Sequence, residues 1–388
     1  MNTALIGFGC VAGGFYEILQ KSRIKDHINI KSISVKELSK ERELSGEHFN
    51  DNAREAVKDE NIQLVVEAID DDQEAYYLAK TALQNGKHYV SANKKMIAHH
   101  LEELTELARQ KGVSFLYEAS SLAAVPVIRT MDQYFQSHPL ENFEGIFNGS
   151  SNYILDLVLL EGKSFEEALQ KAKEEGFAET DPTMDVDGYD ALFKLVILIY
   201  HSFGLIVNPE DIAMFGIRGL SKEEAEFAEI NNYTIRPIVR ADKKNGEIRP
   251  VVIPAFLKKS HQLTNVKYEN NGLMIDSPFS DKQLFVGKGA GKLPTGSAVF
   301  SDVDSLLRSY SYGKPNQYSE EPLSLKKDYT INAYLRMSSD KNLVREFESV
   351  LWQEGTAKGQ QIIGTIALSK LQGLIREDPE GFAATIES

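Results

Sequence analysis

Short β-branched runs alternate with helical patterns through the first 120 residues of the chain. Candidate strands fall at 4–6, 28–35, 64–68, 88–90 and 114–116, with helical stretches between them near 11–21, 51–58, 73–84 and 96–111. Alternation at this spacing implies βαβ units, and these imply a parallel sheet covered on both faces, a Rossmann-type arrangement. From residue 130 the rhythm lengthens: helical periodicity near 150–175 and 187–203, then strand-like segments at 233–241 and 249–256, predicts an α+β domain with an antiparallel sheet. The segment Gly287-Lys288-Gly289-Ala290-Gly291 introduces a helix near 296–309, and the polar stretch 309–321 reads as a linker. A strand at 330–337, a helix at 342–353 and an apolar segment at 361–368 then predict a small C-terminal α+β appendage. The expected fold class is α/β: a Rossmann-type nucleotide-binding domain, an α+β domain and the appendage.

One position breaks the pattern. Ala191-Leu192-Phe193-Lys194-Leu195-Val196-Ile197-Leu198-Ile199-Tyr200 is apolar around the whole helix circumference except at Lys194, as in helices buried on all sides. A lysine there must snorkel out, pair with a carboxylate or lose its proton, because an unpaired buried ammonium is very costly. Asp190, four residues earlier, shares its face and can pair with it. Burial lowers a lysine's pKa toward neutrality, which suits proton exchange with a hydroxyl or carbonyl oxygen, while Asp190 orients the amine and limits that depression. A structural buried pair is the competing reading. Upstream, Glu179-Thr180-Asp181-Pro182 reads as a turn, and Glu179, Asp181, Asp185 and Asp187 as a solvated acidic loop with capping roles.

Gly7-Phe8-Gly9-Cys10-Val11-Ala12-Gly13-Gly14 follows the first strand and opens the first helix, the setting in which a GxGxxG/A pattern has physical meaning. Gly7 permits the tight turn, Gly9 lets a pyrophosphate approach the backbone, and Ala12 allows close helix–strand packing while the helix amino terminus faces the anion. This points to a dinucleotide held by Gly7, Phe8, Gly9, Cys10 and Val11. An acidic residue after the second strand would hold a ribose 2′-hydroxyl and a cation a 2′-phosphate; here Lys36 comes first and Glu37 second, which tilts the expectation from NAD toward NADP. Lys94 follows the strand at 88–90 at its carboxyl end, where open α/β sheets place ligands.

Composition narrows the function classes. With 388 residues, 42% apolar and 26% charged, the chain is long enough for two or three globular domains and lacks the profile of a disordered or membrane protein. A formal charge of −14 argues against nucleic acid as a partner and toward small molecules. The single cysteine, Cys10, excludes an intramolecular disulfide framework and a cysteine-clustered zinc site. Met1 to Gly7 enter a strand pattern without the basic and apolar regions of a secretion signal, so the expected compartment is cytoplasmic.

Three segments carry a family resemblance: Gly145-Ile146-Phe147-Asn148-Gly149-Ser150-Ser151-Asn152-Tyr153-Ile154, Gly176-Phe177-Ala178-Glu179-Thr180-Asp181-Pro182, and Asp187-Gly188-Tyr189-Asp190-Ala191-Leu192-Phe193-Lys194. With Ala92-Asn93-Lys94-Lys95, Tyr117-Glu118-Ala119 and Gly289-Ala290-Gly291-Lys292-Leu293-Pro294-Thr295, the chain resembles the homoserine dehydrogenases over residues 1–310. The resemblance implies NAD(P)-dependent interconversion of homoserine and aspartate 4-semialdehyde in threonine and methionine biosynthesis. It implies that Lys194 exchanges the proton of the substrate oxygen, that Asp190 is its partner and a substrate ligand, and that Glu179 binds the substrate amino group. Ser150, often threonine in the family, is implied for the substrate carboxylate, Lys94 as a second lysine near nicotinamide and substrate, and Gly289 and Gly291 in the cofactor loop. It further implies a monovalent cation, usually sodium, on the backbone carbonyls of Glu118, Ser121, Ala123 and Val125, and a homodimer.

The implied domains are 1–130 plus 290–310 for the dinucleotide, 131–289 for substrate and dimerisation, and 325–388 as a shortened or divergent ACT-like appendage. Asp70-Asp71-Asp72 and Phe177 depart from the family pattern. Three carboxylates beside a pyrophosphate repel it unless they point elsewhere. Phe177 and Ser150 motivate one alternative, a dehydrogenase for another amino-acid semialdehyde or hydroxy acid; the three carboxylates, with Ala123-Ala124 in the carbonyl loop, motivate another, a catalytically weak regulatory paralogue.

Overall fold

The computed structural model describes residues 1–40, 42, 44, 49–315, 322–338, 343–356 and 359–387. Its contacts divide the chain into two units. The first takes Met1–Ser137, Val196–Ile206 and the segment starting at Lys288; the second takes His138–Leu195, Val207–Gly287 and the described residues from 322 onward. Among the described residues no helix is long and apolar enough to cross a membrane.

In the first unit, β1 (Asn2–Ile6), β2 (Asn29–Ser34), β3 (Phe49–Asn50), β4 (Leu64–Glu67), β5 (His88–Ser91) and β6 (Phe115–Leu116) form a parallel sheet in the order β3-β2-β1-β4-β5-β6. The direction of winding reverses beside β1, which makes its carboxyl end the place where doubly wound sheets bind ligands. Leu5, Val66 and Val90 pack with Phe15, Leu19 and Val303 into one buried core. Helices Cys10–Lys21, Asp72–Gln84 and Lys94–Lys111 stand where the periodicity predicts them, whereas the stretch at 51–58 yields only the single turn Ala53–Ala56. The helix expected near 296–309 is Lys292–Leu306. The beginning of the expected linker is packed structure, since Tyr310 Oη and Gly313 N donate to the Asp132 carboxylate at 2.7 and 2.8 Å. Its remainder, 316–321, lies outside the described residues.

The second unit is built on an eleven-stranded, mostly antiparallel sheet. Its strands are β7 (Asn142–Ile146), β8 (Ala213–Met214), β9 (Tyr233–Lys244), β10 (Glu247–Lys258), β11 (Asn270–Ser277), β12 (Asp281–Lys288), β13 (Ser324–Leu325), β14 (Thr330–Met337), β15 (Ser349–Thr356), β16 (Gly359–Ala367) and β17 (Phe382–Ile386). The main path runs β12-β11-β7-β9-β10-β17-β14-β16-β15, with β8 and β13 also pairing with β10. β9 and β10 are joined by Asn245-Gly246, both in the left-handed region at φ 53° and 73°, the two-residue turn whose twist matches paired strands.

Two helical expectations change here. The helix expected over 150–175 is two helices, Gly149–Glu161 and Phe165–Glu174, because Gly162 ends the first at φ 67° and Ser164 with Glu167 forms a capping box for the second. The helix expected at 342–353 is a single turn, Leu343–Glu346, followed by β15, whose Val350 and Trp352 carry strand-favouring side chains and pair with β16; Asn342 lies outside the described residues. In the segment expected as an appendage, β14, β15, β16 and β17 belong to the same sheet. β17 pairs in parallel with β10 at Ala255 and Phe256, and Tyr334 and Phe382 share a core with Phe256 and Tyr153.

Candidate active site

Gly188, at φ 95°, turns the chain into the helix Tyr189–Phe203. In that helix Asp190 and Lys194 are 5% and 6% exposed, so the ammonium meets protein rather than water. Lys194 Nζ donates to Asp190 Oδ2 at 2.8 Å and to the Phe147 carbonyl at 2.7 Å. Asn271 Nδ2 donates to the same carbonyl at 3.0 Å. Phe147 and Asn148 lie between β7 and the helix Gly149–Glu161, so a strand end is brought against the lysine one helix turn beyond Asp190.

Asn148 ties this pair to a further carboxylate. Its Nδ2 donates to Asp190 Oδ2 at 2.9 Å and to Asp185 Oδ1 at 2.7 Å, while its Oδ1 caps the following helix by accepting Ser151 N at 2.7 Å. Ser151 Oγ donates to the Asp185 carbonyl at 2.8 Å. A small cavity opens beside Asn148, Ser151 and Asp185 and is walled by Phe215, Ile217, Pro237 and Val252. The acidic loop therefore divides differently from its solvated reading. Asp185 belongs to the buried network, Asp187 forms a bidentate pair with Arg218 at 2.8 and 3.0 Å on the surface, and Asp181 accepts Thr183 N at 3.1 Å. The hydrogen bond from Thr183 holds the Asp181 carboxyl below its ordinary value.

Glu179 is exposed and follows Phe177, whose carbonyl accepts the Ser150 hydroxyl. That bond commits the Ser150 proton to the segment carrying Glu179. Phe177 packs on Tyr153 with ring centroids 4.7 Å apart.

In the first unit the glycine loop has the shape a dinucleotide needs. Gly7 adopts φ 85°, and a Cβ there would stand 2.3 Å from the Ala68 carbonyl oxygen; a Cβ at Gly9 would meet nothing within 4 Å. The helices starting at Cys10 and Lys292 are capped by Gly9 and Gly291, so no side chain bonds their first backbone N–H groups at the capping position. Gly14 lets them touch, since its Cβ would lie 2.0 Å from the Lys292 carbonyl oxygen. Cys10 is an exposed free thiol, Phe8 packs edge-on against Phe49 at 5.4 Å, and Lys36 is exposed directly after β2 and Val35.

The three aspartates resolve into separate tasks. Asp71 caps the helix Asp72–Gln84 by accepting Gln73 N and Glu74 N, Asp72 pairs with Lys95 at 2.9 Å, and Asp70 is exposed. Lys94 opens the next helix, which Asn93 caps by accepting Met96 N at 2.9 Å. Asn93 N donates to Ser91 Oγ, and Ser91 Oγ donates to the buried Glu67 at 2.6 Å. Burial pushes the Glu67 carboxyl up to about 7, against the hydrogen bonds from Ile69 and Ser91.

The loop after β6 is also held from inside. The Glu118 carboxylate accepts Ile128 N and Arg129 N at 2.9 and 2.8 Å, and Glu118 N donates to Asp302, which pairs with Arg129 at 2.8 Å. Burial, then the neighbouring Asp302, raises the Glu118 carboxyl to about 8. Ser121 Oγ is buried and finds no hydrogen-bond partner among the described residues, and Ala123 takes φ 48°. Among the described residues no group of three or more His, Cys, Asp or Glu side chains could hold a metal ion.

Sequence reasoning missed Asn148, Asp185 and Glu67. Asn148 carried a signal, an Asn ahead of a helical run, and Glu67 another, a carboxylate ending an apolar strand; Asp185 had none beyond its neighbours. Comparison with known proteins agrees on one identity. Residues 7–118 match the family model described as homoserine dehydrogenase, NAD binding domain, and residues 126–303 the one described as homoserine dehydrogenase. The homoserine dehydrogenase of Synechocystis sp. is 34% identical over 357 residues, 89% of this chain and 82% of that protein. That of Bacillus subtilis is 32% identical over 81% of this chain and 74% of its own length. The crystal structure of a homoserine dehydrogenase from Thiobacillus denitrificans superposes with a TM-score of 0.87 at 26% identity, covering 100% of this chain and 98% of that one. A hyperthermophilic archaeal homoserine dehydrogenase in complex with NADPH superposes with a TM-score of 0.69 at 25% identity over 80% of this chain and 98% of its own.

Proposed function

The chain belongs to the homoserine dehydrogenase family, and we propose that it interconverts homoserine and aspartate 4-semialdehyde, with Lys194 exchanging the proton of the reacting oxygen. The observation that carries this reading is the Lys194–Asp190 pair at 2.8 Å, nearly sealed from water in an otherwise apolar helix. The nicotinamide dinucleotide, when bound, supplies or accepts the hydride. In reduction Lys194 gives a proton to the developing alkoxide; in oxidation its neutral amine takes the hydroxyl proton. Asp190 and the Phe147 carbonyl fix the direction of the Nζ–H bonds, so that no reorganisation is needed at the moment of transfer.

Glu179 offers an exposed carboxylate to the substrate ammonium. Ser150 holds the Glu179 segment through the Phe177 carbonyl and reaches a substrate carboxylate by releasing that bond. Lys94 serves as the second lysine of the reaction, its place at the start of its helix set by Asn93. Gly7, Phe8, Gly9, Cys10 and Val11, with Gly289 and Gly291, would cradle the dinucleotide. Lys36 favours the 2′-phosphate of NADP over NAD, and the archaeal relative with NADPH supports that choice. The separate tasks of Asp71 and Asp72 remove most of the repulsion that motivated a catalytically weak paralogue.

A monovalent cation, sodium by resemblance, would lie on the carbonyls of Glu118, Ser121, Ala123 and Val125. The left-handed Ala123, a conformation that costs a residue with a Cβ about 1 kcal/mol, supports a backbone path kept for a purpose. A homodimer and a cytoplasmic location complete the reading. Residues 325–388 follow the order strand, helical turn, strand, strand, helix, strand of a ferredoxin-like unit, which supports a divergent ACT-like origin with its first helix cut to Leu343–Glu346. Threonine inhibition is not expected of it.

The test is steady-state turnover of purified chain with homoserine, related hydroxy amino acids, NAD+ and NADP+. Homoserine with NADP+ should give the highest kcat/KM; another hydroxy amino acid in its place would sink the substrate assignment.

A further inference from the structure

We propose that Asn148 is a positioning residue for proton transfer: its side-chain amide holds the carboxylates of Asp190 and Asp185 together and so sets the negative charge that Lys194 faces. This rests on the reading of Lys194 as the proton-exchanging group. Asn148 is 5% exposed, and three hydrogen bonds engage its amide: one to the backbone of Ser151 and one to each carboxylate. The bonding fixes the orientation of the amide. Flipped, its oxygen would face two carboxylates and its hydrogens would face the Ser151 N–H.

Asp190 Oδ2 receives Asn148 Nδ2 and Lys194 Nζ together, at 2.9 and 2.8 Å. Whatever the amide withdraws from that oxygen, the ammonium no longer feels. Among the described contacts, Lys194 meets Asp190 from its own helix and the Phe147 carbonyl from the strand–helix junction; Asn148 from that junction donates to Asp190, Asn271 from β11 donates to the Phe147 carbonyl, and Asp185 lies behind Asn148. A neutral double donor brings two carboxylates side by side without adding a charge of its own. A cation in its place would drain the field that holds the lysine protonated, and a third carboxylate would deepen it.

The decisive variant is Asn148→Asp, which keeps the shape and the helix cap, since Asp and Asn cap equally well, but replaces the donor with an acceptor. Asn148→Ser, which keeps a capping oxygen and drops both amide hydrogens, covers the case in which the aspartate fails to fold. For homoserine oxidation, which needs neutral Lys194, the acidic limb of kcat against pH should move up by about one unit in Asn148→Asp, which adds a carboxylate beside the pair, with kcat at neutral pH falling about tenfold, and it should shift by at least about half a unit in Asn148→Ser, which breaks the bridge without adding a charge. Dissociation constants for NADP+ should stay within about twofold of the parent. If Asn148 is only a helix cap, the limb stays where it is, and an unmoved limb overturns the proposal whatever happens to kcat. Lys194→Ala measured alongside separates the two readings. Retained turnover in it overturns the role of Lys194 itself, whereas an inactive Lys194→Ala beside Asn148 variants with the parental limb overturns the role of Asn148 alone.

Discussion

Lys194 stays buried because a strand end and a helix turn supply two oxygens to an ammonium that would otherwise be too costly to seal from water. The same logic sorts the acidic residues beside it. Asp187→Asn removes a half-exposed pair with Arg218 and should change stability by less than about 1 kcal/mol and leave kcat/KM within about twofold. Asp185→Asn, which removes the carboxylate that Asn148 links to Asp190, should lower kcat/KM at least about tenfold, and equal effects of the two changes in steady-state assays would contradict the division. Glu67 carries a pH signature of its own. Its carboxyl is raised to about 7 in the fold, so the stability it contributes is complete below its unfolded value near 4.5 and is lost as pH rises through 7. Glu67→Gln removes that dependence. The stability of the parent relative to this variant should therefore fall between pH 5 and 8 by on the order of 2 kcal/mol, read from denaturant curves at the two pH values.

Elements whose signals are local could be read directly from the chain. The glycine loop, the Rossmann alternation and the apolar helix with its one lysine each depend on residues within a few positions of one another, and each appears where the pattern puts it. Elements specified by distant partners could not. β7 and β11 pair although more than 120 residues separate them, and β10 takes β17 as its parallel neighbour across a comparable distance. Other misses did leave marks: Ser221 with Glu224 is a capping box ahead of the helix Lys222–Ile230, and Asn245-Gly246 marks the β9–β10 turn. In the site, the Lys194–Asp190 spacing was legible, but the bridge from Asn148 to Asp185 spans three elements and has no one-dimensional signature. The contact between the helices that start at Cys10 and Lys292 gives an element-scale test. Gly14→Ala would set a methyl carbon 2.0 Å from the Lys292 carbonyl oxygen, and it should destabilise the first unit by about 1–3 kcal/mol with weaker NADP+ binding, measured by thermal melting and fluorescence titration. An unchanged melting temperature would contradict that packing.

At the scale of the molecule, the C-terminal strands are part of the second unit's sheet. Deleting 325–388 strips β17 from β10 and leaves Glu224 buried without Arg336, its partner at 2.6 Å. Losing one member of a buried pair costs about 3–5 kcal/mol, beside the exposure of Phe256, so the truncated chain should be largely insoluble; a soluble, cooperatively melting and active product would show the segment to be dispensable. The catalytic assignment is tested most directly by kcat for homoserine oxidation in Lys194→Ala, with NADP+ affinity measured on the same preparation. The expected result is a kcat lower by about a thousandfold with the NADP+ dissociation constant within about twofold of the parent. Turnover near the parental rate, with the cofactor still bound, would show that Lys194 does not carry the proton.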